Sequence, residues 1–576
     1  MFMKHVVVVL LMAAALAVEG SAQGPQGDLQ IPGRGPLPGG RMGPARDPRE
    51  QQTGTSVIRG RVVAADTGTP IRRAQVRAMA GELRESRIAA TDAEGRFELK
   101  ELPAGRWDLT ATKAGFVTLR FGQRRPFEAG RPIELSEHET MARADFALPR
   151  GAAITGRIVD EFGDPVAMAR VQVMRYQAFQ GSRRLMPVGI GDQTDDTGAY
   201  RLYGLSPGDY YVSAVLRGGG MMGPDAEDTN YAPTYYPGTG NVAEAQRVTI
   251  GLGQEHPNIS FSLLPTRTVK VMGTVVDSQG KALTNGFVTL VDAADMPGAG
   301  GMFMIGGGNG RVRPDGSFTL SNVAPGSYTL MATVPPFGTD GLPESASMPL
   351  TVGNEDLSGL QLATGKGATL SGQIVAAEGS SGRLSTEGLM VMAQPLRFQP
   401  MMGSRPGRVN ADGSFKMVGA NGRVVIRPMQ LPSTWMLKSV TLNGTDISDT
   451  PIDIRPESDL NDIQILVTDR VPEISGNVTT AKGEPTRDYT VIVFPEEAAK
   501  WAYPSRHVRS GRADQDGRFK IRGVPGDEQY LAVAVDYLEE GEGGDPQFLE
   551  QMRDRATSFK LGDGEVKTLD LKLVVR

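Results

Sequence analysis

The run DGSFTLSNVAPGSYTLMA, residues 315–332, decides the fold. Its opening Asp315-Gly316 predicts a tight two-residue turn, because glycine takes positive φ without cost and aspartate bonds its own backbone two residues on. Apolar residues then alternate at Phe318 and Leu320, the pattern of a strand with one buried and one wet face. Pro325-Gly326 breaks that strand, and alternation resumes at Tyr328, Leu330 and Ala332. The run reads as turn, strand, turn, strand.

The same text recurs along the chain. Glu94-Gly95-Arg96-Phe97, Thr197-Gly198-Ala199-Tyr200, Asp412-Gly413-Ser414-Phe415 and Asp516-Gly517-Arg518-Phe519 repeat its beginning, and Trp107, Tyr210 and Tyr530 repeat its second aromatic. The fourth copy departs, with Asn421-Gly422 for Pro-Gly and Val424 for the aromatic. Upstream of each copy stands an apolar–x–Gly–x–apolar strand centred on Gly60, Gly156, Gly273, Gly372 and Gly476, glycines 96 to 117 residues apart. Two patterns keeping step through five repeats make the chain a tandem array. Short strands separated by turn signals, in repeats of about 100 residues, read as all-β sandwiches, each large enough for its own core. The repeats are placed at 56–149, 152–265, 268–364, 367–469 and 472–576. A string of beads is expected, jointed near Arg150-Gly151, Pro265-Thr266, 365–367 and 470–472.

The combined motif, Gly–x–Val, then Asp–Gly–x–Phe, then Leu–x–Pro–Gly–x–Tyr–x–Leu–x–Ala, resembles the carboxypeptidase regulatory-like domain. The resemblance spans residues 56–576 and is clearest in repeats one, two, three and five. It implies five tandem Ig-like, transthyretin-like sandwiches of seven strands, non-catalytic modules often grouped with carbohydrate-binding-like folds. Residues 231–238 (YAPTYYPG), 437–449 (LKSVTLNGTDISD) and 493–501 (VFPEEAAKW) look like stretches of multi-domain exported proteins of environmental Gram-negative bacteria.

The N-terminus reads as an export signal. Lys4 precedes 13 uninterrupted apolar residues at 6–18, followed by Gly20, Ser21 and Ala22, so cleavage is expected after Ala22. An apolar helix of that length covers about 20 Å and falls short of a bilayer core of ~30 Å. No later run is long enough to span, so no membrane insertion of the mature chain is expected and the protein is placed in the periplasm or outside the cell. Residues 23–55, with eight Gly and six Pro at irregular spacing, read as a disordered tether.

Composition narrows the chemistry. The absence of cysteine excludes disulfides, thiol catalysis and thiolate metal sites, and a net charge of −5 without basic blocks argues against nucleic acid. A zinc peptidase needs His and carboxylate ligands at fixed spacing. His138, His256 and His507 stand in separate repeats with no His-Glu-x-x-His or His-x-x-Glu, and read as surface histidines. Gly306-Gly307-Gly308-Asn309-Gly310 lacks the Lys-Ser/Thr of a phosphate loop, and Gly379-Ser380-Ser381-Gly382 is no nucleophile elbow. Acidic turns such as Asp192/Asp195/Asp196, Asn410/Asp412 and Asp514/Asp516 offer calcium too few oxygens. Lys270 has no asparagine on the expected last strand of its repeat with which to form an isopeptide bond. No cofactor, metal site or catalytic residue is expected.

Candidate ligand contacts are aromatic. An insertion at 217–244 places Tyr231, Tyr235 and Tyr236 beside Pro233 and Pro237, flat faces on which sugar rings or proline-rich peptides stack, unless they fold back as a small core. Trp435 and Trp501 are weighed in the same way. Met-rich stretches at 296–304 and 401–402 are soft apolar surfaces. Phe548, Leu549 and Met552 are spaced for a short helix on the last sandwich. The expected function is a non-catalytic exported binding or scaffold protein with a carbohydrate or extracytoplasmic protein as partner. The alternatives are a carbohydrate-binding protein for envelope or extracellular polysaccharide and, more remotely, an accessory subunit of a hydrolase.

Overall fold

The computed structural model describes residues 53–576 except 82, 84, 217–230, 267, 293–308, 335–343, 397–404 and 456–457. The export signal, nearly all of the tether, the Gly-Met part of the 217–244 insertion and both Met-rich stretches lie outside the described residues. Contacts divide the chain between Gln51 and Gln52. From Gln52 onward the fold is all-β, with one α-helix, Pro546–Met552, among the described residues. Gly54 already donates its amide to the Glu101 carbonyl at 3.0 Å, so chain expected in the tether is tied to the first repeat.

Each repeat is two sheets around a hydrophobic cluster, and the clusters occupy successive stretches of chain: 58–148, 152–263, 269–362, 368–467 and 474–571. In the first, Ser56–Ala64 pairs antiparallel with Arg96–Leu102 and parallel with Thr140–Met141 and Phe146–Leu148. Gln75–Ala80 and Gly105–Thr112 form the centre of the facing sheet. Two of its strands are broken into short pieces, Leu119–Arg120 with Ile133–Leu135 and Thr140–Met141 with Phe146–Leu148. These breaks give sheets of four and five strands where seven strands in all are expected.

The two repeated patterns are two sides of one contact. Gly60 lies opposite Phe97, Gly156 opposite Tyr200, Gly273 opposite Phe318, Gly372 opposite Phe415 and Gly476 opposite Phe519. The last strand of the repeat crosses the same point from the other side. A Cβ on Gly273 would stand 2.3 Å from the Leu360 carbonyl oxygen and 2.8 Å from the Phe318 ring. At Gly60 the corresponding distances are 2.3 Å to the Ala144 oxygen and 2.8 Å to Phe97. Only glycine lets the strand lie between ring and carbonyl. The rings themselves are buried.

The Asp-Gly turn differs from expectation. Gly316 has φ +80°, but its amide donates to Arg313 and Arg313 donates to Ser317, which closes a three-residue loop. Asp92, Asp195, Asn410 and Asp514 begin the same loop in the other repeats. It joins strands in opposite sheets: Glu85–Ala90 belongs to one sheet of the first repeat and Arg96–Leu102 to the other. A single positive-φ residue after a type I turn makes this corner, whereas a two-residue hairpin would keep both strands in one sheet. One oxygen of the Asp514 carboxylate accepts the amides of both Asp516 and Arg518, which holds the turn closed.

The second aromatic closes the opposite corner. Tyr210, Tyr328 and Tyr530 donate their hydroxyls to the carbonyls of Ser206, Ala324 and Pro525, and Trp107 Nε1 donates to Pro103. Each ring is buried while its polar tip is satisfied, which retains the roughly 1.5–3 kcal/mol of a buried side chain without a desolvation penalty. In the fourth repeat Val424 makes no such bond, and the hairpin Met436–Leu442 and Thr445–Asp446 instead extends the sheet beside Leu460–Thr468.

The last repeat is buried on both faces. Thr490–Pro495 is buried at every position, and Ile492, Phe494, Leu531 and Val533 form a second cluster with Phe548, Leu549 and Met552 of the helix. Asp545 caps that helix by accepting the Gln547 amide, and Pro546 fills its first turn. Gly273→Ala should destabilise the third repeat by about 1–3 kcal/mol through overpacking, seen as a lower urea midpoint. Gly353→Ala, where an added Cβ meets nothing within 4 Å, should leave the midpoint unchanged.

Candidate functional site

The repeats do not hang as beads. A loop of the first repeat, Arg124-Arg125-Pro126-Phe127-Glu128, lies against the last repeat more than 380 residues away. The Phe127 carbonyl accepts the Glu540 amide at 3.0 Å, and Tyr537 donates its hydroxyl to Pro126 at 2.9 Å. Glu128 and Arg512 pair at 3.1 Å with side chains only 4% and 3% exposed, and Arg512 also donates to the Ala129 carbonyl at 2.6 Å. Glu134 and Gln515 exchange two bonds between the Gln515 side-chain amide and the Glu134 backbone. Glu128 also accepts the Arg124 and Arg125 amides at 3.1 and 3.3 Å, so the buried pair ties the folded loop itself to the last repeat.

Phe127 carries the contact into the second repeat. Held at φ +63°, its ring meets Tyr210 edge-on at 6.4 Å and packs on the second core. The Arg175 guanidinium stacks over it at 3.6 Å and pairs with Glu539 at 2.5 Å. Three repeats therefore meet at one phenylalanine.

Beside this junction opens a cleft of about 940 Å³, within the usual range for ligand sites. Tyr176 and Tyr211, from adjacent strands of the second repeat, stand edge-to-face at 5.8 Å on its wall. Arg125, Arg183 and Arg247 line it together with Arg175. Its two carboxylates are engaged: Glu539 by Arg175 and Tyr537, and Asp209 by Arg247 and the Thr249 hydroxyl. Burial and then the neighbouring Glu539 charge push the Tyr537 phenol well above its ordinary value, so this hydroxyl stays a donor. Among the described residues no group of three His, Cys, Asp or Glu side chains is placed to hold a metal ion. The cleft offers cations, aromatic faces and hydroxyls.

Residues 57–149 match the carboxypeptidase regulatory-like domain. This domain supplies the docking loop with Phe127 and Glu128, and the later repeats share its glycine-to-aromatic register. No curated protein matches the chain. Among solved structures, the Bacillus anthracis TIE protein is 14% identical with a TM-score of 0.15, and the match covers 54% of this chain and 51% of that one. The chain thus spans about half of that protein. A streptococcal ancillary pilin is 12% identical, TM-score 0.20, with 54% and 98% covered. GBS52, the minor pilin of Streptococcus agalactiae, is 16% identical, TM-score 0.18, with 37% and 98% covered. At such scores the likeness carries no weight for function.

The aromatics singled out in the sequence lie elsewhere than the cleft. Tyr231 and Tyr236 fold back on the second core; Tyr236 meets Phe261 edge-on, and Tyr231 bonds Glu161 at 2.6 Å. Tyr235, half-buried, pairs with Ser213 in the sheet. Trp501, read as a possible ligand face, is 3% exposed, bonded through Nε1 to Pro495, met edge-on by Phe494 and covered by the Arg553 guanidinium. Trp435 is buried in the fourth core, with an edge toward a groove of about 270 Å³. Burial removes the tryptophan faces that stacking needs. The residues that do line the cleft have one visible signal, an aromatic next to proline within the charged loop Arg124–Glu128, which no periodicity explains.

His507 also departs from its expected surface place. It is 2% exposed, between the fourth and last repeats, with Nε2 3.0 Å from Asp449 and Nδ1 3.3 Å from the Tyr530 hydroxyl. Arg506 binds the same Asp449 at 2.9 Å and donates to the Leu437 and Lys438 carbonyls, and Arg427 lies 3.8 Å away. Burial alone would raise the Asp449 pKa, but hydrogen bonds from His507 and Arg506 hold it far below the carboxylate range. A depressed pKa gives stability that is complete above the unfolded value of about 4 and fades as pH falls below it. The denaturant-midpoint gap between wild type and Asp449→Asn should therefore be large at pH 7 and shrink at pH 3.

Proposed function

We propose that this protein is an exported, non-catalytic scaffold whose sandwich repeats are locked together and present a ligand cleft outside the cytoplasm. The buried Arg512–Glu128 pair, with Phe127 inserted into the second core, carries the reading: a flexible tether of beads would have no use for such contacts. Residues 57–149 match a regulatory-like module, which supports a binding role. In the cleft, Glu539 and Asp209 are each committed to an arginine, which argues against either acting as a general base. Among the described residues no helix is long and apolar enough to cross a membrane. Export rests on the signal pattern at residues 1–22.

Small-angle scattering of the full chain should give the closed arrangement of repeats one, two and five. Arg512→Ala leaves Glu128 buried without its partner, costing about 3–5 kcal/mol, and should open the junction into a broader scattering envelope. A splayed, variable profile for the unaltered protein would overturn the scaffold reading. Mass spectrometry of protein expressed in a Gram-negative host should find a mature chain beginning at Gln23.

A further inference from the structure

We propose that the cleft between the first, second and last repeats binds an acidic polysaccharide, a uronic-acid unit being held by Tyr176, Tyr211 and Arg183. This deepens the scaffold reading and rests on it for the cleft's existence, since Phe127 and Glu539 come from different repeats.

Charge sets the ligand's sign. Of the four lining arginines, Arg175 is bound to Glu539, Arg247 to Asp209 and Arg125 to Asp536. Arg183 is exposed and makes no ion pair among the described residues. Both lining carboxylates are already neutralised, so the cation left over faces the cleft and calls for an anion. A guanidinium matches a carboxylate through two parallel hydrogen bonds.

The aromatic wall sets the ligand's class. Tyr176 and Tyr211 are half-buried, and neither hydroxyl bonds a protein group among the described residues. An edge-to-face pair covers one ring face and leaves others open. Flat apolar faces edged by free hydroxyls suit a pyranose, whose C–H face packs on the ring while its hydroxyl groups bond the phenols. A carboxylate on that sugar then reaches Arg183. An acidic peptide would satisfy the arginine but leave the platform and phenols unused. The groove of about 570 Å³ between Met331, Ser345, Asn421 and Arg455 has no aromatic residue in its lining and offers no comparable platform.

Affinity electrophoresis of the full chain through gels containing polygalacturonate tests the assignment, with carboxyl-reduced polygalacturonate and polyglutamate as comparisons. Retardation is expected with polygalacturonate alone. Arg183→Gln, on an exposed side chain, should weaken it by about tenfold or more, the scale of one charge-assisted bond, and Tyr211→Ala should weaken it further. No retardation, equal retardation by the carboxyl-reduced polymer, stronger retardation by polyglutamate, or wild-type binding by Arg183→Gln would each overturn the proposal. If scattering shows the closed arrangement and polygalacturonate still fails to bind, the ligand assignment alone falls. If scattering shows splayed repeats, the cleft and the scaffold fall together.

Discussion

At the glycine of each first strand, three segments of chain pass within contact distance: the strand itself, the aromatic ring of its antiparallel neighbour and a carbonyl of the last strand. An added Cβ would lie 1.8 Å from the Ile463 oxygen at Gly372 and 1.9 Å from the Leu569 oxygen at Gly476. The crossing lets one strand pair antiparallel on one side and parallel on the other, which holds the start and end of each repeat together. It also buries the ring beside backbone that is already hydrogen-bonded: the amides of Ala144, Ile259 and Leu569 donate to the carbonyls of Arg59, Thr155 and Ser475. Everything else in a repeat hangs from this point: the three-residue corner feeds the ring into place, and the second aromatic seals the opposite end.

That local economy leaves the repeats free to differ at their edges, and the edges dock. In the first repeat the paired strands Gln75–Ala80 and Glu85–Ala90 have six residues each; in the second, Arg170–Phe179 and Ser182–Gln193 have ten and twelve. The longer hairpin is buried along its first half and then runs beyond its own core. There Arg175 reaches Glu539, Gln180 reaches the Tyr503 hydroxyl, and a Cβ on Gly541 would lie 2.3 Å from the Ala178 carbonyl oxygen. Tyr503 also accepts the Gln394 side chain, so the last repeat touches the fourth as well.

Legibility followed range. The glycine, corner and aromatic patterns were plain because each is short and periodic, and the helix was plain because Pro546 and the spacing of Phe548, Leu549 and Met552 are local. The contact between Gly60 and Phe97 was not, since register across a sheet is set by packing and leaves no mark in either pattern alone. Trp501 looked available because its burial depends on Phe494 behind it and Arg553 over it, the latter 52 residues away. His507 looked solitary because Asp449 belongs to another repeat. Phe127 stood in a stretch with neither period, and the partners that give it meaning, Tyr210 and Arg175, lie in the next repeat.

The division has a consequence for where function can reside in a chain of this kind. A residue present in every repeat is bound by the shared geometry: changing Phe318 or Gly273 destabilises the sandwich itself. The cleft draws on positions that the repeats do not share, a loop aromatic in one, a hairpin extension in another, and in the last the Tyr537–Glu540 stretch just before its helix. Tyr176, Arg183 and Tyr211 lie outside the buried clusters, whereas Phe127 packs on the second core and is constrained by it. The cleft of this chain is bounded by a buried ion pair and an inserted ring, contacts made between repeats rather than within any one of them.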